Sequence, residues 1–296
     1  MPEIKNVTPW ERNQTLKDIL ITVISLIVIN FLLFLPYRLR LSFSGWIFTT
    51  FLGPLTGRTK VALEQIQLVY PNKSKTDSSK IANKCLNNIG RTLIENFSPN
   101  HFINNQLTTI TGPGFKLLTD AETKGKAIIL ATGHFGNYEA PRNALLKLDL
   151  ETGGMYRPMN NKTFNKLYVD AMQKSGKPIF SRGSKGTKGM IKHLRQGGRT
   201  IILFDQKMRE GKCLNFLGQP SMTILSPAEL ALKFDAYLIP FFGIRNEDGF
   251  SFTNIFEEPI PHTDAKTMSQ QLNDRLTARI HDNPEQWFWV HRRWKS

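Results

Sequence analysis

The chain has 296 residues, 40% of them apolar, which is enough for one large domain or a domain with appendages around a real core. Its formal charge of +15 favours anionic partners (nucleic acid, acidic protein, anionic lipid or phosphorylated substrate) unless it is merely a soluble basic surface. Two distant cysteines, Cys85 and Cys213, exclude a disulfide framework and suit a reducing compartment, and six scattered histidines exclude a metal site by spacing.

Residues 19–35, "ILITVISLIVINFLLFL", form a run without a charge. As a helix it would be about 26 Å long, at the short end for spanning a bilayer. Asn30 is its one strongly polar residue, and Tyr37, Arg38 and Arg40 follow as an aromatic and basic edge. No small-residue cleavage site follows, so a retained membrane anchor is expected rather than a cleaved signal. A buried core helix is the alternative. The slight basic excess after the run places the main body in the cytoplasm.

Residues 41–110 read as a helical lead-in. "VALEQIQLVYP" has helical spacing and stops at Pro71, and "KIANKCLNNIGRTLIENF" repeats the pattern. From about residue 127 short apolar runs alternate with amphipathic segments. The strand candidates are 127–132, 154–157, 200–204, 237–242 and 250–256. Helices are expected at 162–174, 185–196, 226–234 and 264–282. This predicts an α/β fold, with a central mostly parallel sheet flanked by helices and an N-terminal membrane-anchoring helix. The division expected is an anchor over 1–40 and a catalytic domain over 41–296, with its α/β core in 111–296.

Ligands of open α/β sheets collect at the carboxyl ends of strands, beside helix N-termini. "AIILA" followed by "TGHFGNYE" puts His134 at such a place. Positions five apart on a helix differ by about 140° in direction, so His134 and Glu139 can meet only if His134 sits in the turn. Gly136 gives that turn latitude, Asn137 is a natural cap, and Pro141 requires the helix to start nearby. A carboxylate on a histidine fixes its tautomer, and such a pair can deprotonate a hydroxyl that the substrate brings. A capped turn with a structural histidine fits the spacing equally well.

No G-x-S-x-G nucleophile elbow is present. "RGSKGTKG" lacks phosphate-loop spacing. Lys185, Lys188, Lys192 and Arg195 share one helical face, which is either solvated or a docking stripe for an acidic carrier protein or lipid phosphates. "FDQK" ends another apolar strand, so Asp205 and Gln206 should share the sheet edge with His134 and either line the pocket or merely end the strand. The tail "WFWVHRRWK" fits a membrane interface, phosphate binding, or a segment packed on the sheet.

"TGHFGNYE" resembles the HxxxxD/E motif of the lysophospholipid-acyltransferase-like superfamily. "MYRPMNN" (155–161), "LFDQKMREG" with "NFLGQPSMT" (203–223), "PAELALKF" (227–234) and "NPEQWFWVHRRWK" (283–295) occur in the order seen in the lipid A late acyltransferases. The likeness covers roughly residues 110–296, and Tyr138 stands where the family often has tryptophan. It implies a membrane-bound O-acyltransferase on the cytoplasmic face of a Gram-negative inner membrane. The acyl donor would be acyl carrier protein. The acceptor would be a hydroxyl on the hydroxyacyl chain of an anionic, Kdo-bearing lipid A precursor. His134 would be the general base and Glu139 its orienting partner. Asn137, Arg157, Arg182, Asp205 and Gln206 would contact substrate, the two arginines meeting phosphate or the oxyanion. No cofactor, metal or nucleic-acid partner is expected. Two rivals stand beside this: the same chemistry on another lipid acceptor, and a non-enzymatic binder of anionic surfaces.

Overall fold

The structure, a computed structural model, describes residues 15–105, 107–120, 125–208 and 210–294. The first helices are α1 (Leu16–Phe34) and α2 (Tyr37–Ile47), then a π-helical turn (Phe48–Leu52) and α3 (Gly53–Leu55). Next come α4 (Arg58–Val69), α5 (Lys75–Phe97) and α6 (Pro99–Asn105). The sheet begins with β1 (Thr108–Thr111), α7 (Gly114–Thr119), β2 (Ile128–Thr132), α8 (Glu139–Leu146) and β3 (Gly153–Tyr156). It continues through α9 (Lys162–Lys174), β4 (Ile179–Ser181), α10 (Ser184–Arg195) and β5 (Arg199–Leu203). A hairpin, β6 (Lys212–Phe216) and β7 (Gln219–Thr223), precedes α11 (Ser226–Phe234), β8 (Tyr237–Arg245), β9 (Phe252–Phe256) and α12 (Ala265–Asp282).

Seven strands lie in the order β1-β9-β8-β2-β5-β3-β4. Every neighbouring pair runs parallel except β8 and β9. The α/β architecture with a mostly parallel sheet is thus as the alternating texture predicted. β2 sits mid-sheet and is buried along its whole length. Its side chains alternate between two cores. Ile129 and Ala131 face α4, α5, α10, α11 and α12, while Ile128 and Leu130 face Leu118 of α7 and Leu145 of α8. A strand covered on both faces has no polar side to show, which is why "AIILA" reads as a continuous apolar run.

The helical lead-in packs on the sheet rather than standing apart. Asn88 and Thr92 of α5 both donate to the Gly136 carbonyl, at 3.0 and 3.2 Å. Arg245, at the end of β8, grips Glu95 of α5 with two hydrogen bonds of 2.7 Å. Both partners of that pair are buried. Such a pair is costly to break, because either charge alone would be left without water.

The expectation of a spanning anchor is corrected. Among the described residues no helix is long and apolar enough to cross a membrane. α1 carries Asp18 in its first turn, where Asp18 and Thr15 cap each other. Asn30 interrupts its apolar stretch and bonds back to the Leu26 carbonyl at 2.8 Å. Residues 1–14, assigned to the anchor from sequence, lie outside the described residues. Nevertheless α1 and α2 leave Ile24, Ile27, Phe31, Phe43 and Trp46 exposed. Rings of Phe31, Phe43, Trp46 and Phe51 follow one another at centroid distances of 6.5, 5.3 and 5.2 Å. Asn161 ties α1 to the loop after β3, donating to the Asp18 carbonyl at 2.9 Å and to the Thr22 hydroxyl.

Candidate active site

The site follows from one register. β2 and β5 are parallel neighbours with Thr132 opposite Leu203. His134 and Asp205 each lie two residues beyond that pair, so the two side chains leave the sheet together. His134 Nδ1 is 2.7 Å from Asp205 Oδ1, and the His134 backbone N–H donates to Asp205 Oδ2 at 2.8 Å. The Trp287 indole N–H donates to the same Oδ2 at 2.9 Å. Burial works to raise the Asp205 carboxyl, but the His134 charge, the His134 hydrogen bonds and the Trp287 indole outweigh it and hold it at about 2. Asp205 is therefore a carboxylate, which can only accept. The Nδ1···Oδ1 hydrogen bond therefore needs its proton on Nδ1, and in the neutral form of the ring the lone pair is on Nε2. The Gln206 amide donates to Nε2 at 3.3 Å. Among the described residues no serine, threonine or cysteine shares that nitrogen.

The turn that carries His134 is held from two sides. Gly136 has φ of 56°, and a Cβ there would stand 1.9 Å from the Gly243 carbonyl oxygen. Only glycine allows β8 to approach so closely. Gly136 N–H donates to the Gln286 carbonyl and Asn137 N–H to the Gly243 carbonyl, at 2.9 and 3.0 Å. The Phe288 ring lies 5.5 Å from the His134 ring.

The structure separates the expected residues into two groups. His134, Glu139, Arg157, Arg182 and Gln206 line one cavity of about 990 Å³. Asn137 and Asp205 stand behind it. Asn137 is wholly buried; its side-chain oxygen accepts the Glu139 N–H at 2.9 Å and its amide donates to Glu95 at 2.8 Å. The N-cap of α8 is Tyr138, without a side-chain bond of its own; Asn137, one residue earlier, holds the first N–H of the helix and has both its polar side-chain atoms engaged within the protein. Asp205 likewise lies behind His134 and off the cavity wall, with its carboxylate on the ring and the backbone N–H of His134.

The pairing expected of Glu139 is corrected as well. It begins α8, and its carboxylate pairs with Arg142 Nη1 at 3.2 Å rather than with His134, whose Nδ1 is taken by Asp205. Arg142 is buried and also donates to the Thr152 and Gly176 carbonyls, at 3.0 and 2.6 Å. The acid–base spacing of three, Glu139 to Arg142, was visible in the sequence as a helical ion pair. The Trp287 contact was not: nothing in the tail's composition says which of three tryptophans reaches Asp205. The tail itself resolves to its packed alternative, with Trp287, Trp289 and Arg293 buried. Lys295 lies outside the described residues.

Tyr138 and Tyr168 form a further wall of the cavity. Burial, the neighbouring tyrosine and Glu139 push the Tyr138 hydroxyl well up, so it stays protonated and can only act as a neutral hydrogen-bonding group. The four cations of α10 are exposed, and among the described residues no ion pair involves them.

One family model, described as bacterial lipid A biosynthesis acyltransferase, matches residues 11–296. The lipid A biosynthesis lauroyltransferase of Escherichia coli is 27% identical over 250 residues, covering 81% of this chain and 79% of that protein. The lipid A biosynthesis palmitoleoyltransferase of the same organism is 23% identical over 252 residues, 82% and 80% of the two chains. A phosphatidylinositol mannoside acyltransferase of Mycobacterium tuberculosis is 22% identical over 193 residues, 64% and 61% of the two chains.

Proposed function

From its membership of the bacterial lipid A biosynthesis acyltransferase family, to which the chain belongs, we propose that it moves a fatty acyl chain from a carrier-protein thioester to a hydroxyl of an anionic lipid A precursor. What carries this reading is His134, oriented by Asp205 through Nδ1 and lining a large cavity, with no serine, threonine or cysteine of the described residues bonded to its Nε2. A base so placed serves an alcohol that comes with the substrate. The acceptor O–H displaces the Gln206 amide and gives its proton to Nε2. Its oxygen forms a bond to the thioester carbonyl carbon, and the C–S bond breaks. The proton on Nε2 passes to the departing thiolate, leaving an ester and a thiol. Asp205 steadies the imidazolium between those two transfers. Glu139 belongs to the cavity wall beside the base, where with Arg142 it sets the start of α8. Arg157 and Arg182 meet the phosphates of the acceptor or the developing oxyanion.

The same reading places the protein at the cytoplasmic face of the inner membrane, held there by α1 and α2. A contiguous apolar patch at the surface suits a lipid interface. The tie from Asn161 to α1 supports delivery of lipid to the cavity, because Met159, two residues away, is in its lining.

Mass spectrometry of lipid A from a strain lacking the gene, beside its parent, tests the proposal. We expect the mutant lipid to lack one secondary acyl chain, restored by the intact gene and not by a His134→Ala version. Unchanged lipid A would reject this acceptor. Loss of an acyl chain from another glycolipid would favour the alternative that the mannoside acyltransferase likeness suggests.

A further inference from the structure

The positive charge of the chain is unevenly spread. Between Asp170 and Asp205 there are eight lysines and arginines and no aspartate or glutamate, against +15 for the whole sequence. α10 is the centre of that stretch. Lys185, Lys188, Lys192 and Arg195 are exposed on one of its faces, and Gly186, Met190 and Leu194 are buried on the other. A solvated helix face gains from opposite charges three or four residues apart, whereas like charges at that spacing repel. Lys192 and Arg195 lie in the last turn, where the helix dipole favours them. Lys185 lies in the first turn, where the dipole opposes it and no acid accompanies it. An array that the helix does not need, and that meets no carboxylate among the described residues, suits an anionic partner.

α10 also borders the site. Thr187 and Met190 belong to the cavity wall that His134 lines, as does Arg182, two residues before the helix. The helix leaves the carboxyl end of β4, where Ser181 lies opposite Tyr156 of β3, and returns to the amino end of β5. It therefore descends from the sheet edge that carries His134. Lys185 to Arg195 spans about 15 Å of that flank, at 1.5 Å per residue. α1, by contrast, is tied to Asn161 beyond the carboxyl end of β3. A flat bilayer resting on α1 and α2 would meet the first turn of α10 and leave Arg195 out of reach. A folded protein can follow the whole stripe. Resting on the acyl-transfer reading above, we propose that α10 is the docking surface for the protein part of the acyl donor, an acidic carrier, and that the thioester arm enters the cavity past Thr187 and Met190.

Charges on the rim of an interface act on encounter more than on chemistry, so the two effects can be separated. The test compares two donors of one acyl chain, an acyl carrier-protein thioester and the bare pantetheine thioester. Both are offered to the purified full-length protein with one detergent-dissolved lipid acceptor. The triple variant Lys185→Glu, Lys188→Glu, Lys192→Glu should lower kcat/KM for the carrier-protein donor by about 10- to 100-fold at low salt, chiefly through KM. Added salt should slow the unaltered protein and barely affect the variant. The pantetheine donor has no protein to dock and should keep its kcat/KM within about twofold. Lys188→Glu alone is the milder change and should act the same way by about two- to fivefold. A matched triple, Lys60→Glu, Lys84→Glu, Lys266→Glu, reverses as much charge at exposed positions of α4, α5 and α12 and should leave both donors unaffected.

Equal losses with both donors, equal losses in the two triples, or no loss in a folded α10 variant would each overturn the docking surface and leave the acyl-transfer reading standing. So would an α10 variant that keeps its carrier-protein rate and loses only flotation with anionic vesicles, which would assign the stripe to lipid phosphates. If pantetheine does not serve as a donor, acyl-free carrier protein is used as a competitor; its inhibition constant should rise in the α10 triple and not in the matched one, and no difference would overturn the proposal. No transfer from any donor by the unaltered protein would overturn the acyl-transfer reading, and the docking surface with it.

Discussion

The ends of β2 and β5 and the helices α1 and α2 are built in opposite senses. Around His134 the polar groups are buried and each finds a partner: Asp205 with the histidine and Trp287, Asn137 with Glu95, Glu95 with Arg245. In α1 and α2 several large apolar groups are outside while one charge, that of Arg40, is inside. Arg40 is 2% exposed and gives its guanidinium to the Leu32, Leu33 and Leu35 carbonyls at the end of α1, while Phe31 and Trp46 are 56% and 47% exposed. The first region keeps its polar groups satisfied away from water. The second leaves aromatic and aliphatic side chains uncovered. On the function proposed above, the first serves the reaction and the second the lipid surface.

Four changes separate the two regions experimentally. His134→Ala removes the base, and we expect acyl transfer to fall by about 10⁴-fold with circular dichroism unchanged. Glu95→Ala leaves Arg245 buried without its partner. Chemical denaturation should show a loss of about 3–5 kcal/mol. Phe31→Ser removes one exposed ring from the apolar surface. It should weaken binding to anionic phospholipid vesicles by about 1.5–3 kcal/mol while leaving the fold intact, read by flotation. The smallest effect concerns acid. The Asp205 carboxyl is lowered from 3.8 to about 2 on folding, so its contribution to stability is complete above pH 3.8 and is lost as pH falls towards 2. An Asp205→Asn protein should lack that part of the acid transition in a pH titration of unfolding.

Much of this was legible in the sequence, for identifiable reasons. The runs at 127–132 and 200–204 became β2 and β5 because strands buried on both faces leave an unbroken apolar signature. The helices at 162–174 and 226–234 fall on the residues that their periodicity marked. β4 was not seen, because it is three residues long at a sheet edge, nor was β1, whose four residues are three threonines and an isoleucine. The hairpin β6–β7 was also missed, since a proline and alternating polar residues hide its strands. His134 was found from its place after a strand. Its true partner needed the register of β2 against β5, which is a relation between two strands and is written in neither. Spacing within "TGHFGNYE" pointed to Glu139 because it was the acid nearby in sequence. Asp205, 71 residues away, is the acid nearby in space.

On the function proposed above, Asp205 acts through Nδ1 to make His134 the base for an incoming lipid hydroxyl. Steady-state kinetics of Asp205→Asn with a purified acyl donor and lipid acceptor tests it most directly. The asparagine can keep the hydrogen-bonded geometry but cannot hold the tautomer or offset the imidazolium. We expect kcat to fall by about 10²–10⁴-fold with KM little changed in a folded protein. A kcat within about threefold of the unaltered protein would contradict it.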